Sequence, residues 1–157
     1  MALDPRPPGP YETRIHAWLA RVAADWPVVS AVDHDPVERR WYVRMRGEEK
    51  LVTTMWLTLG ELTLQYETYF MPAPEENVAT CFEYLLRVNR RLFAMGFSIG
   101  AEDAVYLTGQ LPLSVLDGPD ADEELDRVLG ATYAYSEECF RTAMSLGYAS
   151  TFRRRPA

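Results

Sequence analysis

Apolar positions along this chain recur first at helical spacing and then at alternating spacing. Tyr11, Ile15, Trp18, Leu19, Val22 and Trp26 share one stripe of a helix that opens at Pro10 or Tyr11 and is stopped by Pro27. Glu12 lies in its first turn, where the positive end of the helix dipole favours a carboxylate. Asp33-His34-Asp35-Pro36 then reads as a loop. From residue 40 the period changes. Trp41, Val43 and Met45 alternate with Arg40, Tyr42, Arg44 and Arg46, which predicts a strand with one buried and one wet face.

Two further strands, 51–59 and 62–70, flank Gly60-Glu61, a two-residue turn in which glycine can supply positive φ. That loop sets Leu59 opposite Leu62, Leu57 opposite Leu64, Met55 opposite Tyr66 and Leu51 opposite Phe70, and every partner is apolar or aromatic. Pro74 fits the first position of a second helix, with Glu75 and Glu76 at its favourable end and a stripe of Val78, Phe82, Leu85, Leu92 and Phe93 running to about Met95. Asn89 falls within that stripe, and a buried amide must find partners, here in a neighbouring loop backbone. Two more strands turn Phe97, Ile99 and Ala101, then Val105, Leu107 and Leu111, toward the core. Gly109 marks a bulge or a close backbone approach. Asp120 and Glu123 form a capping box for a last helix whose stripe runs from Leu125 to Met144 and which Gly147 closes. The order α-β-β-β-α-β-β-α predicts an α+β fold with a twisted antiparallel five-stranded sheet.

Length and ends add the domain plan. A chain of 157 residues fits one domain, placed at 11–152. Residues 1–10, with Pro5, Pro7, Pro8 and Pro10, read as a flexible arm, and 153–157, with Arg153, Arg154 and Arg155, as a solvated basic tail. The first residues lack the apolar core of a signal peptide, and no run approaches a spanning helix. Cys81 and Cys139 sit at positions facing apolar neighbours, as buried free thiols do. Cytoplasm is the expected compartment.

Charge narrows the partners. The formal net charge of −7 argues against nonspecific binding to nucleic acid or an anionic membrane. Between residues 102 and 138 ten acidic side chains face Arg127 alone, which reads as a solvated loop and helix start or as an acidic docking surface. Lys50 is the single lysine, so a phosphate-binding or Schiff-base lysine has almost nowhere to be.

The remaining chemistry is sparse. His16 lies off the apolar stripe and reads as a surface residue, and the Asp33-His34-Asp35 triplet has no second cluster with which to build a metal site. The run 117–122 departs from a calcium loop because Gly118 and Pro119 occupy a spacer and a ligand position. Neither cysteine has a predictable histidine partner, and nucleotide or nucleophile motifs do not occur. Glu75-Glu76 and Glu137-Glu138 are adjacent on helices and diverge, so neither pair can flank one substrate bond. The expectation is a protein that is not an enzyme and takes no cofactor or metal. What stands out is the sheet face turned from the core, with Tyr42, Arg44, Trp56, Gln65, Tyr69 and Tyr106, and with Arg40, Arg46 and Gln110 alongside. Tyrosine, tryptophan and arginine most often anchor interfaces. An odd loop at 48–50 would set Tyr42 beside Trp56. Alternatively, one helix covers this face as a second core layer.

Several stretches also resemble actinobacterial YbjN-domain proteins: 52–60, Tyr66-Glu67-Thr68-Tyr69-Phe70-Met71-Pro72-Ala73-Pro74-Glu75-Glu76-Asn77, Glu83-Tyr84-Leu85-Leu86-Arg87-Val88-Asn89 and 97–107. The resemblance covers about residues 11–152. It implies a role in sensory-transduction regulation and a fold similar to type III secretion chaperones, which are usually acidic dimers holding extended client segments. It brings no catalytic motif. The expected function is therefore a chaperone-like or regulatory adaptor, acting as a homodimer on a partner polypeptide segment. The alternative is a small-ligand sensor with a pocket between sheet and helix.

Overall fold

A computed structural model describes residues 7–152; most of the expected arm and the whole basic tail lie outside the described residues. The chain runs α1 (Pro10–Asp25), β1 (Val29–Asp35), β2 (Arg40–Arg46), β3 (Val52–Leu59), β4 (Thr63–Met71), α2 (Val78–Asn89), β5 (Gly96–Ile99), β6 (Val105–Pro112), α3 (Ser114–Asp117) and α4 (Ala121–Gly147). The strands form one antiparallel sheet in the order β1-β2-β3-β4-β6-β5. The α+β class is as expected, but the sheet has six strands rather than five. The added strand is β1, which contains the Asp33-His34-Asp35 segment expected to be a loop.

The helices share one face of the sheet. Trp41, Val43, Met45, Met55, Leu57, Leu59, Leu64 and Tyr66 are buried there against α1 and the first half of α4. Phe70, Met71, Phe97, Val105 and Leu107 pack on α2 and the second half of α4. α4, 27 residues long, thus spans two clusters, with Leu125, Val128 and Leu129 in one and Cys139 and Ala143 in the other. Full burial of a large apolar side chain contributes about 1.5–3 kcal/mol, so the alternation in β2 and β3 decides which face turns inward. Both cysteines are free and buried, and burial pushes both thiols up from their ordinary pKa.

Four local expectations change. The β3–β4 hairpin pairs Leu59 with Leu64, Leu57 with Tyr66 and Met55 with Thr68, two positions from the expected register. Gly60 does not take positive φ; its N–H bonds the Thr63 carbonyl at 2.9 Å, so the turn advances to Glu61-Leu62. A slip of two keeps the paired side chains on their faces, so Met55, Leu57, Leu59, Leu64, Tyr66 and Phe70 stay inward, whereas Leu51 and Leu62, expected as partners of Phe70 and Leu59, are exposed. The second helix is shorter than 74–95. The N–H groups of Glu75 and Glu76 are held by the Gly147 carbonyl at 3.0 and 2.9 Å, and Asn77 at φ 46° then admits the helix at Val78. Asp120 caps α4 through its backbone carbonyl and makes no side-chain cap bond, so the capping box does not form. Ile99 and Ala101 are exposed rather than inward, and the strand ends at Ile99.

Candidate functional site

The opposite face of the sheet carries no helix among the described residues. Its composition follows from the alternation that builds the core. With Trp41, Val43 and Met45 inward, Arg40, Tyr42, Arg44 and Arg46 must point outward. The same parity sends Thr54, Trp56 and Thr58 out of β3 and Gln65, Glu67 and Tyr69 out of β4.

The β2–β3 connection sets how these rows align, and a helix on the far side fixes that connection. The Glu137 carboxylate of α4 accepts the backbone N–H groups of Glu48, Glu49 and Lys50 at 2.8, 3.0 and 3.1 Å. A Cβ at Gly47 would collide with this carboxylate and with the Lys50 carbonyl, so only glycine fits there. The loop so held pairs Tyr42 with Trp56 directly across the strands. Their rings meet edge to face at 5.5 Å, and the Arg40 guanidinium lies 5.2 Å from the Trp56 ring centre. Arg40 Nε also donates to Thr58 Oγ1 at 2.9 Å.

A second aromatic pair sits on β4 and β6. Tyr69 faces Tyr106 edge to face at 5.7 Å, with Gly100 against the Tyr106 ring, where a Cβ would not fit. Burial pushes the Tyr69 hydroxyl above its ordinary pKa, with Tyr148, Tyr106 and Glu102 adding to it. On the side of Trp56 away from this second pair lies a depression of about 330 Å³ lined by Arg40, Trp56, Gln65, Glu67, Thr108 and Gln110. Trp56 remains 39% exposed and Tyr69 44%.

Tyr42, Arg44, Trp56, Gln65, Tyr69 and Tyr106 therefore all stand on one face: two aromatic contacts, with Gln65 opposite Gln110 and Arg44 free toward solvent. Arg40, Arg44 and Arg46 enter no ion pair among the described residues, whereas Arg21, Arg39, Arg87, Arg91, Arg127 and Arg141 each do. The face is not uniformly basic. Asp33 and Asp35 lie beside it on β1, and Glu67 stands near its centre. Its basic end is at Arg44 and Arg46, whose cross-strand neighbours Ala31, Thr54 and Val52 are uncharged.

Sequence reasoning missed a second cluster. His16 and His34, the only histidines of the chain, meet edge to face at 4.6 Å, and His34 stacks on Trp41 at 4.9 Å. Neither the surface position expected for His16 nor the loop expected for His34 holds. The helical spacing of His16 gave no signal of this, because its partner lies on the unrecognised β1.

The chain matches, over residues 13–143, the YbjN family, described as "Putative bacterial sensory transduction regulator". It belongs to that family. An uncharacterised protein of Mycobacterium tuberculosis (strain H37Rv) is 33% identical over 112 residues, covering 71% of this chain and 59% of the relative. An uncharacterised protein of Mycobacterium leprae is 32% identical over 115 residues, covering 73% and 60%. The chain thus matches about three-fifths of the length of these curated relatives. No helix among the described residues is long and apolar enough to cross a membrane.

Proposed function

We propose that this domain is a non-enzymatic, chaperone-like regulatory adaptor of the cytoplasm that holds an extended segment of a partner polypeptide on the uncovered sheet face. The observation that carries this reading is the alignment of Tyr42, Arg40 and Trp56 in contact on an exposed face, with Tyr69 and Tyr106 further across it. Rigid aromatics with arginine supply contact area at low entropic cost. The occupant is a segment whose carboxylates reach Arg44 and Arg46 while its apolar side chains cover the Tyr42–Trp56 pair. The net charge of −7 and the acidic groups on the same face argue against nucleic acid, which would need a continuous basic surface. The domain works as a homodimer, which light scattering tests: a monomer at every concentration would remove that part.

The main test uses short peptides of Glu-Gly-Phe, Gln-Gly-Phe and Lys-Gly-Phe repeats and an oligothymidylate, followed by tryptophan emission in the parent and the Trp56→Phe variant. The acidic repeat should shift emission in the parent alone, and Arg44→Glu should weaken it roughly tenfold. Preference for the lysine repeat or the oligothymidylate, or no response to any probe, would overturn the assignment.

A second reading, a small-ligand sensor, is favoured by a groove of about 270 Å³ between α2 and β5, lined by Phe82, Leu85, Leu86, Phe97 and Ile99. Ligand sites usually combine such walls with a few placed polar groups, and Ser98 is the polar residue here. A thermal-shift gain with medium-chain fatty acids, removed by Leu86→Asp, would favour it.

A further inference from the structure

We infer that His16 and His34 form an acid-released latch that holds the N-terminal half of α1 against β1 and β2. The two imidazoles come from different elements and are in ring contact at 4.6 Å. Trp41, whose side chain is fully buried, donates its indole N–H to His16 Nδ1 at 3.3 Å. That bond requires an unprotonated Nδ1, so the ring proton of His16 sits on Nε2. A proton added at Nδ1 removes the acceptor and leaves a buried indole N–H without its partner. It also places a cation beside the His34 ring.

The groups around the pair decide how readily it takes up charge. Burial and the His16 ring hold His34 below the ordinary imidazole range, and Glu12 of α1 and Asp35 of β1 offset them only in part. Glu12 is already engaged: Arg39 of the β1–β2 turn holds its Oε1 at 2.9 Å, and the Gly9 N–H holds Oε2 at 3.1 Å. Its carboxyl accordingly lies below the ordinary carboxylate range. Asp35 Oδ1 likewise accepts the Val37 and Glu38 N–H groups at 3.0 and 3.3 Å, so two carboxylates that are both already engaged face two imidazolium ions. With both rings charged, the like charges repel across a van der Waals contact and the Trp41 bond is lost. The opposite half of α1 has its own ties to α4, Trp18 Nε1 to Asp126 Oδ1 at 2.8 Å and Arg21 to Asp122 at 3.3 Å, and no histidine takes part in them. The first half is also tied to the segment before α4, Tyr11 Oη to Asp117 Oδ2 at 3.1 Å and Arg14 to the Gly118 carbonyl at 3.0 Å. Acid therefore loosens the first half from β1 and β2 while leaving those ties and the second half in place.

Hydrogen exchange of the α1 amides, measured in the parent and in His16→Gln, tests this. Glutamine keeps an acceptor for the Trp41 N–H and cannot charge. On going from about pH 7.5 to about pH 5, opening of residues 10–17 should rise roughly tenfold in the parent, after correction for intrinsic exchange, and stay level in His16→Gln. The region of 18–25 should change little in both. Where His16→Gln is itself unstable, the two imidazole resonances of the parent report directly: each should titrate in a way that depends on the other. An equal rise in opening in both proteins, no rise in the parent, or two independent titrations would overturn the latch.

Discussion

The side-chain amide of Asn89 binds the backbone of Phe97 as a neighbouring strand would. Its Oδ1 accepts the Phe97 N–H at 2.7 Å, and its Nδ2 donates to the Phe97 carbonyl at 3.1 Å. β5 is the outermost strand, paired only with β6, so these are the groups an edge leaves open. The residue at the end of α2 thus ties helix to sheet and blocks strand addition in one step. Asn89→Ala should cost about 1–3 kcal/mol, measured by denaturant unfolding, because two half-buried backbone groups lose their partner. It should also raise self-association in light scattering. Unchanged stability would show that water replaces the amide without loss.

Glu137 should matter more than any exposed carboxylate of α4. It accepts three backbone N–H groups of the β2–β3 loop, and hydrogen bonds to a charged group contribute about 1.5–3 kcal/mol each when broken singly. Glu137→Ala is expected to lower stability by about 2–4 kcal/mol, less than the sum because the loop can turn to water. Gly47→Ala should do the same by steric means, since its Cβ would overlap the carboxylate and the Lys50 carbonyl. Glu123→Ala, an exchange away from any such clamp, provides the control and should shift the midpoint little. If Glu137→Ala matches that control, the clamp contributes nothing.

Much of this architecture was legible because β2, β3 and β4 alternate without interruption, and parity alone then assigns both faces. Trp41 and Tyr42 are adjacent in the chain, yet one lies in the core and the other on the open surface. The same parity brought the candidate interface residues together before any contact was known. β1 was not legible. Val29 and Val32, its half-buried apolar positions, are three apart because the ladder slips between Val29 and Ala31, and the bulge erases the period of two. Losing β1 hid the histidine contact as well, since His34 reaches His16 only as a strand residue opposite Trp41. The hairpin register failed for a different reason: a two-residue slip preserves parity, so hydrophobic pattern cannot distinguish the two alternatives. Asn89 was the converse case. A polar residue inside an apolar stripe implied a backbone partner, and that partner is the Phe97 backbone, in a strand rather than a loop.

A test of the Lys50 environment follows from the same loop. Its ammonium donates to the Val52 carbonyl at 2.6 Å and lies 5.9 Å from the Phe140 ring centre. Burial lowers its pKa from the ordinary lysine range, an effect that Glu137 partly offsets. A lysine whose folded pKa is depressed binds its proton less tightly when folded. Its contribution therefore opposes folding below the folded value and vanishes above the unfolded value of about 10.4. Lys50→Met, which keeps the stem over Phe140, should thus cost little at neutral pH. Amine-reactive labelling at about pH 8 should favour Lys50 over a free lysine model in proportion to its unprotonated fraction; equal or slower labelling would count against the shift.

Tyr66 and Gly109 form a contact that should be intolerant of even one added carbon. The Tyr66 ring lies on Gly109 of β6, and its hydroxyl donates to the Ala94 carbonyl on the connection to β5. A Cβ at Gly109 would overlap both the ring and that carbonyl, neither of which can swing aside. Gly109→Ala should therefore destabilise by about 1–3 kcal/mol or more, the range for overpacking a filled core. Tyr66→Phe keeps the ring and removes only the hydroxyl, so about 1 kcal/mol is expected. Burial also pushes the Tyr66 hydroxyl up to about 12. The unfolded chain ionises this phenol near pH 10, while the folded chain still holds the proton, so the folded state binds more protons between these values. Stability should fall as pH rises through that window, and the fall should be shallower in Tyr66→Phe than in the parent. Ultraviolet titration of the folded protein would show a late-ionising phenol that the variant lacks; an identical titration curve would place Tyr66 in contact with solvent and remove the basis for both effects.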